Sequence, residues 1–476
     1  MLKQVFSHTF LYAVGPQIPK IISLLLLPIF TQYLTANDYG IYGLAIAYIS
    51  AMTAIKDLGM TQTMVNIFTN SKNTNRWLIF WKQQMGILTL WSIIYSAILS
   101  FIIYLVFNKL IGANIFYFIG LIVLPSVFFD VIILFASRFF QLSLKPLPIT
   151  INTLISGTTA LIVNYICIVK LDLHYWGFFI ASFVGSMTSA ILYFYPLFFI
   201  YKISPIFYFK KLHILKYFKV SLPTIPHNYS SYLLNASDRL ILQYFSIPIN
   251  SLGKYNFAYT FGTYAELFGG AVGTAVGPIY MKEYAKRNML GRKNIYYLTM
   301  ILQLLFLIFL SIASLWMKEI FTILCKNKEL QLSYDLGIII LMGYSIRPLY
   351  WATISFLGFS EKTNELWKIS LIGGLINISL NIIFVPYYGV MASAISTLIS
   401  LIYIGIAGFY LKSFSKYNSI NYHPLKWLVL ILTLTSLSWV LKDAAIIIKF
   451  IISLVLGASG LYFTLLFKNK LSLNNL

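Results

Sequence analysis

Apolar runs close to 20 residues long recur from one end of the chain to the other. About 20 helical residues cross a hydrocarbon core of about 30 Å, so such runs predict membrane-spanning helices. Of 476 residues, 59% are hydrophobic and only 10% are charged, and the mean hydropathy is +0.80. No stretch between the runs is long enough for a soluble domain, and the short alternating segments of a β-barrel do not occur. The sequence predicts an all-α polytopic membrane protein.

Charged and turn-forming residues divide the apolar runs into fourteen predicted spans. Their approximate bounds are 8–33, 39–67, 83–107, 115–140, 147–169, 176–201, 220–246, 253–281, 294–316, 335–358, 366–386, 388–411, 425–441 and 445–467.

The basic residues predict the orientation of these spans. With both termini on one side, the loops on that side carry 22 of the 35 Lys and Arg residues, and the opposite loops carry 7. The positive-inside rule then places both termini in the cytoplasm, which an even number of spans requires. We therefore expect a bacterial inner-membrane protein whose N-terminal segment is retained, because the first apolar run is longer than a signal peptide.

Several other classes of protein are not favoured. The net charge of +22 is spread over short loops, and no basic arm or Cys/His cluster predicts a nucleic-acid module. Cys167 and Cys325 lie in distant segments, so we expect neither a disulfide framework nor a metal site. No cofactor is expected.

Three short matches at nearly one period indicate an internal duplication. The paired segments, with offsets of 207, 213 and 212, are Gly15–Lys20 with Leu222–His227, Tyr39–Tyr42 with Leu252–Tyr255, and Trp176-Gly177 with Tyr388-Gly389. They predict a six-helix N-terminal lobe (1–213), a six-helix C-terminal lobe (214–412), and an additional helix pair with a cytoplasmic tail (413–476). Parallel repeats of this kind are typical of transporters that move two bundles around a shared site.

Proline residues interrupt three of the predicted spans. Each removes a helix hydrogen bond and favours a kink, although membrane helices also tolerate proline where neighbours satisfy the freed carbonyls. The positions are Pro16, Pro19 and Pro28 in the first span, Pro223 and Pro226 in the seventh, and Pro348 in the tenth.

Loose motifs, in a fixed order and spacing, resemble a known family over about residues 10–410. The segment 28–42 with Asp57-Leu58-Gly59 is similar to the opening of Wzx-type polysaccharide flippases of the multidrug/oligosaccharidyl-lipid/polysaccharide exporter superfamily. The start of their second half resembles Ser221–Pro223, Asp238–Leu242 and Gly253–Tyr255, and their eleventh and twelfth helices resemble Asn377–Asn381 and Pro386–Gly389.

This resemblance implies a fold and a substrate. Two pseudo-symmetric lobes would form a V-shaped cavity that opens alternately to either side. The substrate would be an undecaprenyl-pyrophosphate-linked oligosaccharide, such as an O-antigen or capsule repeat unit, carried from the cytoplasmic to the periplasmic leaflet. The family typically lines its cavity with cationic groups. Besides the bilayer and the lipid-linked oligosaccharide, the implied partners are other polysaccharide assembly proteins.

Basic residues within spans are the candidate substrate contacts, because a charge at the bilayer centre costs about 2.5–3.5 kcal/mol and is usually functional. Lys20 lies near mid-depth in span one, and His227 is its counterpart in span seven. They are expected to face a common cavity and hold a phosphate, unless Lys20 pairs with a carboxylate inside one bundle. Arg347 in span ten is either part of the path or a stabilising charge, as is Asp130 in span four. Arg138 is expected to anchor at the interface.

Carboxylates within spans are candidates for coupling transport to H⁺ or Na⁺, because low dielectric raises the pKa of a carboxyl group. Asp57 is such a candidate, although a salt bridge to a neighbouring helix is slightly favoured for it. Glu266 is a better one, since no basic residue lies within a helical turn of it. Asp238 and Arg239 are helix neighbours about 100° apart, so we expect no pairing between them. Arg239 is then a candidate cavity residue and Asp238 an anchor of the bundle, and a purely structural role of the pair is favoured at least as much.

Three functions compete at this point. A lipid-linked glycan flippase is favoured by the excess of basic over acidic residues within spans. A multidrug or cation exporter of the same superfamily would have a more acidic cavity. A membrane-embedded polysaccharide polymerase or acyltransferase needs a catalytic constellation, and the longest outward loop (317–334) has no His and no usefully spaced carboxylate pair. The protein is therefore expected to be a transporter and not an enzyme.

Overall fold

The computed structural model describes residues 17–70, 74–209, 211–418 and 420–470, and every regular element in these ranges is a helix. The α-helices are α1 (Ile18–Tyr33), α2 (Ala36–Lys56), α3 (Met60–Asn70), α4 (Thr74–Ile111), α5 (Ile115–Phe128), α6 (Asp130–Leu142), α7 (Pro146–Tyr165), α8 (Trp176–Tyr195), α9 (Lys211–Ser221), α10 (Ile225–Asn235), α11 (Ser237–Tyr244), α12 (Ile249–Ala285), α13 (Met289–Leu315), α14 (Met317–Leu324), α15 (Lys328–Gln331), α16 (Tyr334–Gly343), α17 (Arg347–Phe359), α18 (Thr363–Tyr388), α19 (Val390–Ala407), α20 (Lys412–Tyr417), α21 (Pro424–Val440) and α22 (Ile446–Lys468).

The prediction of a helical membrane protein is confirmed. Within the described ranges, eight helical segments are long and apolar enough to cross a membrane, or nine if the bent pair α2–α3 is one span. Two shorter apolar helices, α1 and α21, accompany them. The count of fourteen predicted spans is larger, because α1 and α21 are shorter than these segments, two predicted spans fall in the single segment Trp77–Phe128, and neither α12 nor the broken span α9–α11 is among the eight.

One of the eight segments, Trp77–Phe128, contains two helices that fold back on each other. The rings of Phe107 and Phe118 lie 5.3 Å apart, whereas eleven residues along one straight helix span about 16 Å. The reversal occurs at Gly112, whose φ of +67° suits glycine. The predicted spans 83–107 and 115–140 are therefore distinct.

The chain divides into two compact units. The first comprises the chain up to Leu34 together with Leu44–Tyr232. Its core packs Trp81 and Met85 of α4, Met64 of α3 and Phe135 of α6 against one another. The Trp81 indole donates a hydrogen bond to the Met64 carbonyl over 3.2 Å, which satisfies a polar group inside an apolar cluster.

The second unit comprises Thr35–Gly43 together with Leu233–Leu476. The segment Tyr334–Phe359 is the most deeply buried of its apolar spans, so it forms the centre of this unit. The final helix, α22, packs on α13, where Gly460 leaves room for the Ile308 side chain. The lobe boundary after residue 213 was predicted from the sequence repeat, whereas these two units are defined by contacts. The division into two six-helix lobes and a final helix pair stays a prediction.

Within the second unit, the repeat-related segments of α2 and α12 contact each other with matching geometry. A Cβ added to Gly40 would overlap the carbonyl of Ile249, and one added to Gly253 would overlap the carbonyl of Ala36. Both Ala36 with Ile249 and Gly40 with Gly253 are separated by 213 residues, which is the period of the second sequence match. The two glycines allow the backbones to approach closely.

Helix starts and breaks follow local sequence signals. The predicted start at Thr35 is confirmed, since Asp38 accepts hydrogen bonds from the Thr35 backbone N–H and hydroxyl, both over 2.7 Å. Breaks predicted in spans seven and ten occur as the 3₁₀ turns Leu222–Thr224 and Tyr344–Ile346. Pro28 lies inside the uninterrupted α1, and Pro16 is outside the described residues.

Candidate functional site

Asp57 lies at a bend of 42° between α2 and α3. Leu58 and Gly59 both have positive φ there, +50° and +67°. One Asp57 oxygen accepts from the Gly59 N–H over 3.1 Å and the other from the Thr61 hydroxyl over 2.7 Å. Both oxygens thus stabilise the turn that begins α3, which favours a structural role for this carboxylate. Its predicted role in ion coupling remains a prediction.

Asp130 pairs with Lys56 inside the first unit. Lys56 ends α2, Asp130 begins α6, and the Lys56 ammonium contacts the Asp130 carboxylate. Their side chains are 33% and 21% exposed, so the pair is partly accessible. Arg138, further along α6, donates to Gln141 over 2.8 Å at an exposed position, in line with an interfacial anchor.

Lys20 is exposed on the first unit. Its neighbour Pro19 packs over Gly157 of α7, where a Cβ would lie 2.6 Å from the proline ring. This contact fixes the helix turn that carries Lys20. The predicted partner His227 falls in α10, and its side chain lies outside the described residues.

Arg239 and Asp238 form an ion pair buried in the second unit, which corrects the expectation that helix neighbours cannot pair. Arg239 Nη1 lies 2.9 Å from Asp238 Oδ1, and their side chains are 7% and 0% exposed. Asp238 stands in the first turn of α11, after the break at Ala236. The long guanidinium stem curls back there, and Nη1 also donates to the carbonyl of Asn235 over 2.6 Å.

A buried polar network extends from this pair. The Tyr255 hydroxyl donates to Asp238 and lies 3.5 Å from the Thr397 hydroxyl, to which Asn377 donates over 3.4 Å. Asn381 donates to the Asn377 side chain over 3.1 Å and accepts from Ser393 over 2.6 Å. The expected candidate residues did not include this network. The two asparagines four residues apart in an apolar run are the sequence signal that could have indicated it.

A second ion pair in the same unit joins Glu266 to Arg347. Arg347 Nη2 lies 2.7 Å from Glu266 Oε1, and their side chains are 19% and 37% exposed. No basic residue lies within a helical turn of Glu266 along the sequence, and its partner comes from a different helix. The Arg347 Nε is buried without a hydrogen-bond partner among the described residues. This guanidinium therefore retains an unused donor.

Tyrosine rings connect the two ion pairs. The Arg239 guanidinium lies 4.1 Å from the Tyr259 ring centroid, and the Tyr344 hydroxyl donates to that of Tyr259 over 3.5 Å. The Arg347 guanidinium lies 5.3 Å from the Tyr344 ring. Four charges and their tyrosines therefore form one electrically balanced group, which low dielectric makes sensitive to any change of charge.

The charged and polar side chains described above form ion pairs and hydrogen bonds with one another. In the described ranges no group of three or more His, Cys, Asp or Glu side chains could hold a metal ion. Cys167 and Cys325 are both buried, and the Cys325 thiol donates to the Asn327 carbonyl over 3.4 Å. The apolar spans define an integral membrane protein, and several of its helices carry paired charges.

Comparison with protein families identifies the class more closely. The family model described as "Polysaccharide biosynthesis protein" matches residues 5–283, and a model described as "MatE" matches residues 223–383. The first match covers more than half of the chain, so the protein belongs to the polysaccharide biosynthesis protein family of the multidrug/oligosaccharidyl-lipid/polysaccharide exporter superfamily. This is a family of transporters, which excludes the enzyme alternative. A comparison with curated protein sequences found no significant match.

Solved structures of low sequence identity share the fold. The structure titled "Lipid II flippase MurJ, inward closed conformation" is 18% identical, with a TM-score of 0.65 over 91% of this chain and 98% of its own. An inward-facing multidrug resistance MATE family transporter is 14% identical, with a TM-score of 0.56 over 90% and 96%. A mutant of the Vibrio cholerae MATE transporter VcmN is 14% identical, with a TM-score of 0.51 over 87% and 96%.

Proposed function

We propose that this transporter flips undecaprenyl-pyrophosphate-linked oligosaccharide repeat units from the cytoplasmic to the periplasmic leaflet of a bacterial inner membrane. The units would be O-antigen or capsule repeats, moved by alternating access. The family match over residues 5–283 supports a role in polysaccharide biosynthesis. The similarity to a structure titled as a lipid II flippase supports a lipid-linked glycan as the class of substrate.

The Arg347 guanidinium is the group that best supports this proposal. It is partly accessible, its Nε is an unused buried donor among the described residues, and guanidinium groups bind phosphate through paired donors. A pyrophosphate would replace Glu266 at this group. Lys20, His227 and Arg239 are the other proposed substrate-binding residues, and Arg239 is already engaged by Asp238.

Ion coupling follows from the same exchange. Protonation of Glu266, or binding of Na⁺ to it, would weaken its pairing with Arg347 and free the guanidinium for the substrate. Asp57 and Asp130 are the other proposed coupling residues. Asp130 offers a similar exchange with Lys56, because that pair is also partly exposed.

The membrane arrangement is proposed with the function. Fourteen crossings would place both termini in the cytoplasm, consistent with the 22-to-7 distribution of basic residues between the two sets of loops. Partners would be the lipid bilayer, the lipid-linked oligosaccharide and other polysaccharide assembly proteins.

A second candidate, a multidrug or cation exporter, is favoured by the "MatE" match over residues 223–383 and by the fold shared with MATE transporters. Such a transporter needs accessible carboxylates for a cationic substrate. Glu266 is partly exposed and paired with Arg347, but only the guanidinium keeps a donor without a partner among the described residues, which favours an anionic substrate.

The two candidates are distinguished with purified protein in liposomes. A fluorescent undecaprenyl-pyrophosphate glycan should become protected from a membrane-impermeant quencher, and a cationic dye should not accumulate. Arg347→Gln should reduce glycan transport at least about tenfold, since charge-assisted bonds to a phosphate contribute about 1.5–3 kcal/mol. Lys20→Ala should also lose transport while still inserting into the membrane.

Lys282→Gln is the matched control, because it removes one positive charge from an exposed position of α12. Accumulation of the cationic dye without protection of the glycan would contradict the flippase proposal and support the exporter. In cells, deletion of the gene should abolish surface glycan display, and normal display would contradict the proposal.

A further inference from the structure

A cavity of about 440 Å³ lies where the chain passes from α19 to α21 in the second unit. The candidate span Val390–Tyr410 ends at this cavity, and the apolar helix α21 begins at it. The cavity therefore lies at the end of two apolar helices, a position that would be at the membrane surface when these helices cross the bilayer. None of the residues proposed for transport lines it.

Aromatic side chains form the floor of the cavity. Phe414 and Tyr422 are 2% and 4% exposed, and the ring of Phe409 lies 5.3 Å from the first and 4.9 Å from the second. The Phe409–Phe414 contact is edge-to-face and the Phe409–Tyr422 contact is tilted, and together they hold the rings in place. The floor is a packed structure and not a gap between mobile side chains.

Two asparagines shape the loop above this floor. Asn418 donates to the Ile420 carbonyl over 3.1 Å and accepts from the Ile420 N–H over 3.4 Å. Asn421 accepts from the His423 N–H over 2.8 Å. The Asn418 and Asn421 side chains are thus engaged in hydrogen bonds within the loop. The basic side chains of the lining are those of His423 and Lys426.

The rim combines positive charge with exposed apolar surface. His423 and Lys426 are exposed, and Tyr410 and Leu425 are 61% and 60% exposed. The sequence has no Asp or Glu between Glu365 and Asp443, while this stretch contains Lys412, Lys416 and Lys426. Glu365 itself accepts a hydrogen bond from Ser413 over 2.5 Å. The cavity lining therefore includes the basic residues His423 and Lys426 and no Asp or Glu, and the Glu365 carboxylate beside Phe414 is engaged by Ser413.

We propose that this cavity binds the phosphate headgroup of an anionic phospholipid. The phosphate would lie between Lys426 and His423, and the glycerol and upper acyl chain would cover Tyr410 and Leu425. Basic pockets beside membrane helices select anionic headgroups in this way. The bound lipid would fix the elbow from which the last two helices, α21 and α22, extend. This site is independent of the proposed transport site.

The test uses the purified full-length protein in a neutral detergent, with the thermal unfolding midpoint as the readout. Dioctanoyl phosphatidylglycerol should raise the midpoint in a saturable manner, because a ligand that binds only the folded state stabilises it. Lys426→Gln should raise the half-saturating concentration about fivefold, as expected for one lysine near an anionic headgroup. Leu425→Glu places a carboxylate on the rim and should abolish the response.

Matched controls decide the outcome. Lys282→Gln makes the same charge change at an exposed residue that does not line the cavity, so it should respond like the wild type. An equal rise of the midpoint with dioctanoyl phosphatidylcholine would show that the cavity does not select an anionic headgroup. An equal rise with inorganic phosphate would identify the ligand as a soluble anion. Either result, or a normal response of both rim variants, overturns the lipid site. The rim residues are exposed, so folding of the variants without lipid should be unchanged.

Discussion

Asp57 and Asp238 have similar sequence surroundings, since each lies beside a basic residue at a break in a span, yet the structure uses them differently. Asp57 accepts hydrogen bonds from its own turn, and the adjacent Lys56 reaches Asp130. Asp238 is fully buried and pairs with the adjacent Arg239. The difference arises because Arg239 has a longer side chain and lies in the first turn of a helix, where it can fold back.

This difference predicts unequal effects of removing the two charges. Asp238→Asn should destabilise the protein by about 3–5 kcal/mol, because a buried guanidinium loses its counter-charge. Asp57→Asn should cost about 1 kcal/mol or less, since an amide oxygen can still accept from Gly59. Thermal unfolding of the purified protein measures both. Equal shifts for the two variants would contradict the assigned burial of the Asp238–Arg239 pair.

The contact between the N-terminal ends of α2 and α12 depends on the absence of side chains at Gly40 and Gly253. Gly253→Ala should destabilise the protein by about 1–3 kcal/mol, the usual cost of overpacking, because the obstacle is a backbone carbonyl and not a flexible side chain. The readout is the unfolding midpoint together with the yield of monodisperse protein.

Helix α12 provides its own controls for this substitution. Gly270 and Gly277 have nothing within 4 Å of an added Cβ. Alanine at either position should leave the midpoint unchanged or slightly raised, because it favours the helix. A loss of stability in all three variants would assign the effect to glycine in α12 generally and not to the contact with α2.

An ion pair attaches the C-terminal helix pair to the rest of its unit, and one partner is fully buried while the other is partly exposed. Lys449 of α22 is 0% exposed and its ammonium lies 2.7 Å from Glu319 of α14, which is 26% exposed. Nearby, Lys318 and Asp443 lie 2.5 Å apart, but they are 46% and 53% exposed. Buried charges depend on their partners far more than exposed ones do.

We therefore expect Glu319→Gln to destabilise the protein by about 3–5 kcal/mol, because it leaves a buried ammonium without a counter-charge. Lys318→Gln should have little effect. Protease sensitivity of the 411–424 connection, compared between the two variants, reports release of α21 and α22. Similar cleavage rates would argue against Lys449 as the main attachment.

The exposed pair also predicts a narrow dependence on acid. The hydrogen bond from Lys318 holds the pKa of Asp443 below its ordinary value of 3.8. A lowered pKa contributes stability that is present above the ordinary value and is lost as pH falls through the lowered one. Between neutral pH and pH 3.8, the ordinary pKa of an aspartate, Asp443 should stay ionised and paired with Lys318.

For the whole molecule, the even number of predicted spans has a measurable consequence. Ala285, the last residue of α12, and Thr322, in the short helix α14, should lie on opposite faces of the membrane, and both residues are exposed. Ala285→Cys should react with an impermeant maleimide only after permeabilisation, and Thr322→Cys should react in intact spheroplasts. The native Cys167 and Cys325 are buried, so they give little background. Labelling of both on the same side would contradict the orientation.

The sequence by itself determined the features that depend on nearby residues. The apolar spans, the start at Thr35 and the breaks before Ile225 and Arg347 follow from hydropathy, capping and proline, which act within one helix. The 213-residue period likewise predicted which segments are equivalent, and the glycines at 40 and 253 occupy equivalent places.

Only the tertiary structure decided which charges pair. Glu266 with Arg347, and Lys449 with Glu319, are 81 and 130 residues apart, and the Tyr255–Asn377–Asn381 network joins three helices. Contact between helices depends on their rotation and relative depth, and a shift of one residue turns a side chain by about 100°. Hydropathy is almost insensitive to such a shift, whereas an ion pair is made or lost by it.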